Sequence, residues 1–108
     1  MRLLGALTEG SGRINEDGFG VLGEAADVRA AWVFDGVTGI NEKNYLGGGS
    51  DAAWLVARAD ARLRTLAGQS TTLQKILEEL VAGLIADFAT ATSGLDLPRD
   101  YDPPAACL

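Results

Sequence analysis

The chain has 108 residues, with fifteen Asp plus Glu against nine Lys plus Arg and no histidine, for a formal net charge of -6. Without an imidazole there is no Ser-His-Asp or Cys-His catalytic set and no His-ligated zinc, so any catalysis must run on carboxylates, hydroxyls, amines or a bound metal. The single cysteine, Cys107, excludes an internal disulfide and a thiolate zinc cluster and fits a reducing compartment.

A chain of this length makes one domain and buries about 65% of its unfolded surface, enough for a modest core. The acidic balance argues against a phosphate-backbone partner, so no nucleic acid is expected. Glu9 interrupts the apolar opening Met1 to Leu7 before it reaches the length of a signal-peptide core. No uncharged apolar stretch approaches the ~20 residues that span a bilayer. The expectation is a soluble, cytoplasmic protein with no membrane partner.

Short apolar runs separated by glycines fill the first half, the pattern of strands joined by tight turns. Leu3 to Thr8 reads as a first strand, Gly18 to Gly23 as a second and Val28 to Phe34 as a third. The third holds Ala30, Ala31, Trp32, Val33 and Phe34 in succession, which predicts burial on both faces. Residues 41–49 form a loop, and Ser50 with Asp51 offers an N-cap and a dipole-matched first turn for a helix. Leu55, Ala59, Leu63 and Leu66 carry its apolar spacing, and Gly68 stands where a C-terminal cap belongs.

A second helix follows. Thr71 and Gln74 read as a capping-box pair, and Leu73, Ile76, Leu77, Leu80, Val81, Leu84, Ile85 and Phe88 trace one apolar face. After Ser93 the chain is loop-like, with Pro98, Pro103 and Pro104. Ala105 to Leu108 then looks like the opening of a strand whose remainder is missing, so the chain reads as a fragment.

Gly18, Gly20 and Gly23 satisfy G-x-G-x-x-G, but polar residues precede them and no helix follows, so the dinucleotide-binding reading fails on context. Glycines relieving crowding in a twisted strand are the better account. Gly47 to Gly49 ahead of Ser50 could offer N–H groups to an anion at a helix N-terminus. The Gly-Lys-Ser/Thr ending of a P-loop is missing, and a flexible loop fits better, with Tyr45 and Trp54 as packing residues. Asn15-Glu16-Asp17 precedes the second strand and Asp35-Gly36 ends the third. Carboxylates at strand ends can converge on a hard cation, because Mg2+ and Mn2+ take oxygen ligands and commonly only one or two protein carboxylates plus water. The competing reading is two ordinary polar turns.

Arg13, Asn15-Glu16-Asp17 and Trp32-Val33-Phe34-Asp35-Gly36, taken in order, resemble the opening motifs of the metal-dependent protein phosphatases of the type 2C class. Val37-Thr38-Gly39-Ile40 and Ser50-Asp51-Ala52-Ala53-Trp54-Leu55 extend the similarity toward a bacterial branch of that family. The resemblance implies an α+β fold, with antiparallel strands forming part of a β-sandwich flanked by helices, and residues 1–108 as the N-terminal portion of a single domain. It implies two Mg2+ or Mn2+ ions at one edge of the sandwich. Asp35 would bridge both, Gly36 would donate its carbonyl oxygen to one, and Asp17 would hold that ion, with Glu16 competing for the role. Arg13 resembles the residue that binds the substrate phosphate. Two cations would acidify a shared water and clamp the phosphoryl oxygens without a histidine.

Two departures qualify the resemblance. Val37 stands where many members carry a histidine, and the family's remaining metal-binding aspartates fall beyond Leu108. Asp51, Asp60, Asp87, Asp96, Asp100 and Asp102 match no such motif and read as solvated charges. The expected function is therefore metal-dependent hydrolysis of phosphoserine or phosphothreonine in a phosphoprotein, nearly inactive in these 108 residues. The rivals are a non-catalytic regulatory module on the same scaffold and a small helical interaction protein that pairs through Leu73 to Phe88.

Overall fold

The computed structural model describes residues 15–24, 26–37, 43–47, 49–69 and 71–108. The expected strand at Leu3 to Thr8 lies outside them, as do Arg13 and Thr38 to Ile40. The described residues form an α+β unit in the order β1 (Asp17–Glu24), β2 (Asp27–Gly36), α1 (Asp51–Leu66), α2 (Leu73–Thr92) and β3 (Ala106–Cys107). The strands make one antiparallel sheet in the order β1-β2-β3. No helix among the described residues is long and apolar enough to cross a membrane.

β1 and β2 form a hairpin that closes at Glu24 and Asp27, and the register shifts between Leu22 and Gly23. Gly23 takes φ +107 at that irregularity, and a Cβ there would meet the Asp27 carbonyl oxygen at 2.5 Å. A side chain is excluded on both counts. Gly18 and Gly20 also act sterically. A Cβ on Gly20 would fall within the Trp32 indole, and one on Gly18 would lie 2.8 Å from Val56 Cγ1. The G-x-G-x-x-G run is thus a device for close packing in a strand.

Val28, Trp32 and Phe34 are buried, while the odd-numbered Ala31, Val33 and Asp35 are exposed, Val33 at 68%. The expectation that β2 is covered on both faces is therefore corrected. An antiparallel sheet can bury one face alone, and α1 covers only the even-numbered side of β2. Trp32 and Phe34 from the sheet, Val56, Ala59 and Leu63 from α1, and Leu80 from α2 make the core.

α1 begins as the sequence predicts. Ser50 is the N-cap, its hydroxyl accepts the Ala53 N–H at 3.1 Å, and Asp51 occupies the first turn. At the other end Ala67 caps the helix in a right-handed conformation, and Gly68 does not adopt the left-handed one expected of it. In α2 the N-cap is Thr72, whose hydroxyl accepts the Lys75 N–H at 3.2 Å; the Thr71–Gln74 pairing does not form. Gln74 instead donates to Glu78 one turn on.

The apolar face of α2 is wider than its cover. Leu80 is buried, Ile76 and Leu84 reach the margin of the core, and Leu73, Leu77, Val81 and Ile85 form an exposed stripe. A groove of about 470 Å³ runs between that stripe and the sheet, lined by Ala31, Val33, Leu63, Leu73, Leu77 and Leu108 among others. The final strand expected at Ala105 to Leu108 is present as β3, paired with the end of β2.

Candidate functional site

Asp17 opens β1 and Asp35 lies one residue from the end of β2. The two are direct partners in the antiparallel ladder. Beside them the Gly36 N–H donates to the Glu16 carbonyl at 3.1 Å, so that pair is of the hydrogen-bonded kind. The Asp17–Asp35 pair is then of the other kind, in which Cα atoms approach to about 4.5 Å and side chains stand closest. Both carboxylates leave the sheet on the face that carries Val33 and faces away from α1.

Local sequence explains this placement. Asn15 accepts the Asp17 N–H on its side-chain oxygen at 3.0 Å, a turn that shapes the entry into β1. Gly36 lets the strand end come close: a Cβ there would meet the Glu16 carbonyl oxygen at 2.5 Å and Ala52 Cβ at 3.3 Å. The same geometry separates the two acidic neighbours. Glu16 and Asp17 are consecutive in an extended segment and so project to opposite faces, and Asp17 is the one that shares Asp35's face.

Partial burial, then the hydrogen bond and charge of Asp35, push the Asp17 carboxyl above its ordinary value, with a smaller contribution from Glu16; the Gly36 N–H acts in the opposite sense. Two adjacent carboxylates resist joint ionisation, and a shared proton or a cation relieves them. The donor set is all oxygen, which suits a hard divalent ion. Asp17, Asp35 and the Gly36 carbonyl are the groups that could hold it, a small complement for such an ion. Among the described residues no group of three or more His, Cys, Asp or Glu is placed to hold a metal. Arg13 lies outside the described residues.

β3 adds a neighbour that the sequence did not signal. Cys107 is Asp35's partner on its other side, and its thiol is exposed. Nothing in a two-residue strand announces such a pairing in advance.

Three aspartates read as solvated charges are corrected. Asp51 is only 5% exposed and accepts the Tyr45 and Leu46 N–H groups at 2.8 Å each and the Tyr101 hydroxyl at 3.0 Å. The loop before α1 thus turns its N–H groups toward an internal anion, the Asp51 carboxylate. Asp60 accepts the Trp32 indole N–H at 2.8 Å and pairs with Arg64. Asp87 binds Arg62 at 2.6 and 2.8 Å and also Arg58. Asp96, Asp100 and Asp102 are exposed. Tyr45 and Trp54 do pack, against Tyr101 and Phe88 respectively.

Compared with protein-family models, curated proteins and solved structures, the chain finds no match.

Proposed function

We propose that this chain is part of a metal-dependent serine/threonine phosphoprotein phosphatase of the type 2C class, its sheet forming one layer of that class's β-sandwich. The observation that carries the reading is the alignment of Asp17 with Asp35 across β1 and β2. Eighteen residues apart in sequence, these are the two carboxylates that the motif resemblance assigns to the metal edge.

In this reading Asp35 is the bridging ligand, Asp17 and the Gly36 carbonyl complete the contribution of this segment, and Arg13 engages the substrate phosphate. Glu16 serves in Asp17's place only if the strand entry rearranges. Bound Mg2+ or Mn2+ would supply an acidified water and charge neutralisation at the phosphoryl oxygens. The protein's part is to hold two mutually repelling carboxylates at the ends of two paired strands, a cost to the folded state that a bound cation would offset.

A second reading, a non-catalytic partner-binding module on the same scaffold, draws support from Val37 and from the small ligand set among the described residues. Calorimetric titration of the chain with Mn2+ separates the two. The phosphatase reading expects weak binding of one ion that D35N abolishes and D17N weakens, with background turnover of a phosphoserine peptide. Absence of Mn2+ binding, or binding that D35N leaves intact, overturns it.

A further inference from the structure

Beyond α2 the chain returns to the sheet in stages. Gly94 turns it out of the helix at φ +81, and a turn closes where the Tyr101 N–H donates to the Pro98 carbonyl at 3.1 Å. The Tyr101 ring then meets Tyr45 edge-on at 5.4 Å and stacks on Phe88 at 6.3 Å, while its hydroxyl donates to Asp51 Oδ2 at 3.0 Å. The other Asp51 oxygen is held by two backbone N–H groups of the preceding loop. The acceptor for Tyr101 is therefore fixed in place by a different part of the chain.

From this anchor the route to β3 is short and stiff. Pro103 and Pro104 are consecutive, each with a fixed φ and no N–H to donate. β3 itself is slight. Ala106 and Cys107 pair with Gly36 and Asp35, and the Val37 N–H donates to the Ala105 carbonyl at 2.9 Å. Ordering a residue costs about as much as one net hydrogen bond returns, so backbone pairing and the small Ala106 contact with the core do not by themselves hold a strand this short on an edge. Its docking needs a tether, and Tyr101 is placed to be it.

We infer that residues 95–108 form a strap anchored by Tyr101 on Asp51, and that its β3 end detaches from β2 while the α1 core stays folded. Docked, it covers the Asp35 flank of β2. Detached, it leaves the Val37 N–H and the adjoining peptide groups open as a strand edge. The inference stands whether or not the carboxylate pair binds a metal.

Amide hydrogen exchange on the 108-residue chain tests it, with Val37 reporting on the strap and Ala59 and Leu63 on the core. A hydrogen bond to a charged acceptor is strong enough that Y101F should speed exchange at Val37 roughly tenfold or more, and Y101A further, while the core amides stay within about twofold. Replacing Pro103 and Pro104 by glycine should also speed Val37, with the Tyr101 ring signals unchanged, because the anchor survives and only its link is loosened. Equal acceleration at Val37 and in α1 would make Tyr101 a global stability residue and overturn the strap. So would unchanged Val37 exchange in Y101F, which preserves the ring and folds if the chain folds at all.

Discussion

The indole of Trp32 lies across the backbone of Gly20, in the space that a Cβ would fill. The same ring donates its N–H to Asp60, so it is held by a strand and a helix together. Gly20→Ala should destabilise the fold by about 1–3 kcal/mol, as overpacking of a well-filled core does. Gly47→Ala, where an added Cβ meets nothing within 4 Å, is the control and should stay within about 0.5 kcal/mol. Urea midpoints at unchanged slope would show the difference.

The acidic pair makes a prediction of opposite sign. Asp17's carboxyl is raised when folded, so its contribution to stability is present at low pH and is lost as pH rises through the folded value. D35N removes the neighbouring charge. In that variant Asp17 should titrate closer to its ordinary 3.8, and the metal-free protein should gain stability at neutral pH. Carboxyl NMR titration and urea unfolding would check both, and a loss of stability in D35N would mark the pair as a structural hydrogen bond instead.

Asp51→Ala should be the most damaging of the aspartate substitutions. It strands two backbone N–H groups and the Tyr101 hydroxyl, at a cost on the order of 3 kcal/mol or more. D51N should be milder, because the amide keeps an oxygen for the two N–H groups and can donate to the tyrosine oxygen. Thermal unfolding of the two variants side by side would rank them.

Asp87 should govern acid sensitivity between α1 and α2. Hydrogen bonds from Arg62, then those from Arg58 and the charge of both, lower its carboxyl from 3.8 to about 2 against the opposing effect of burial. The folded value lies below the unfolded one, so the stabilisation is complete above about pH 4 and fades as pH falls toward 2. Both arginines are partly exposed, which limits the pair's worth to about 1 kcal/mol. The gap between the urea midpoints of wild type and D87A should be nearly the same at pH 7 and 4 and clearly narrower at pH 2.5.

The two sides of α2 should respond differently. Leu80→Ala, at a site 3% exposed, should cost about 2–5 kcal/mol. Ile85→Ser, at a site 65% exposed, should change stability by less than about 0.5 kcal/mol while lowering any tendency to self-associate. Unfolding together with light scattering would read both effects.

Much of the local structure is legible in the sequence because its causes are local. Ser50 announces α1, and β1 and β2 fall within two residues of their expected bounds. The cap of α2 is ambiguous by one position in the sequence, because Thr71 and Thr72 are both threonines and only the three-dimensional turn selects the hydroxyl that reaches Lys75. Burial was less legible. Five apolar residues in a row give no sign that Val33 faces out, since that depends on which layer is present over each face of the sheet. The aspartate partners were hidden for a related reason: Trp32 and Asp60 are 28 residues apart, Asp51 and Tyr101 are 50. No spacing rule reaches that far.

Gly20 and Asp17 belong to one ladder, three rungs apart, with Trp32 and Asp35 as their partners. A two-rung slip one way would drive the indole onto the Leu22 side chain, and a slip the other way would carry it to Gly18, where Val56 already fills the gap. A single-rung slip would turn every side chain of one strand to the wrong face. The indole is a key that fits one notch, and the carboxylates at the rim inherit their alignment from that fit. Damage at the notch would therefore disarm the acidic edge without altering an atom of it.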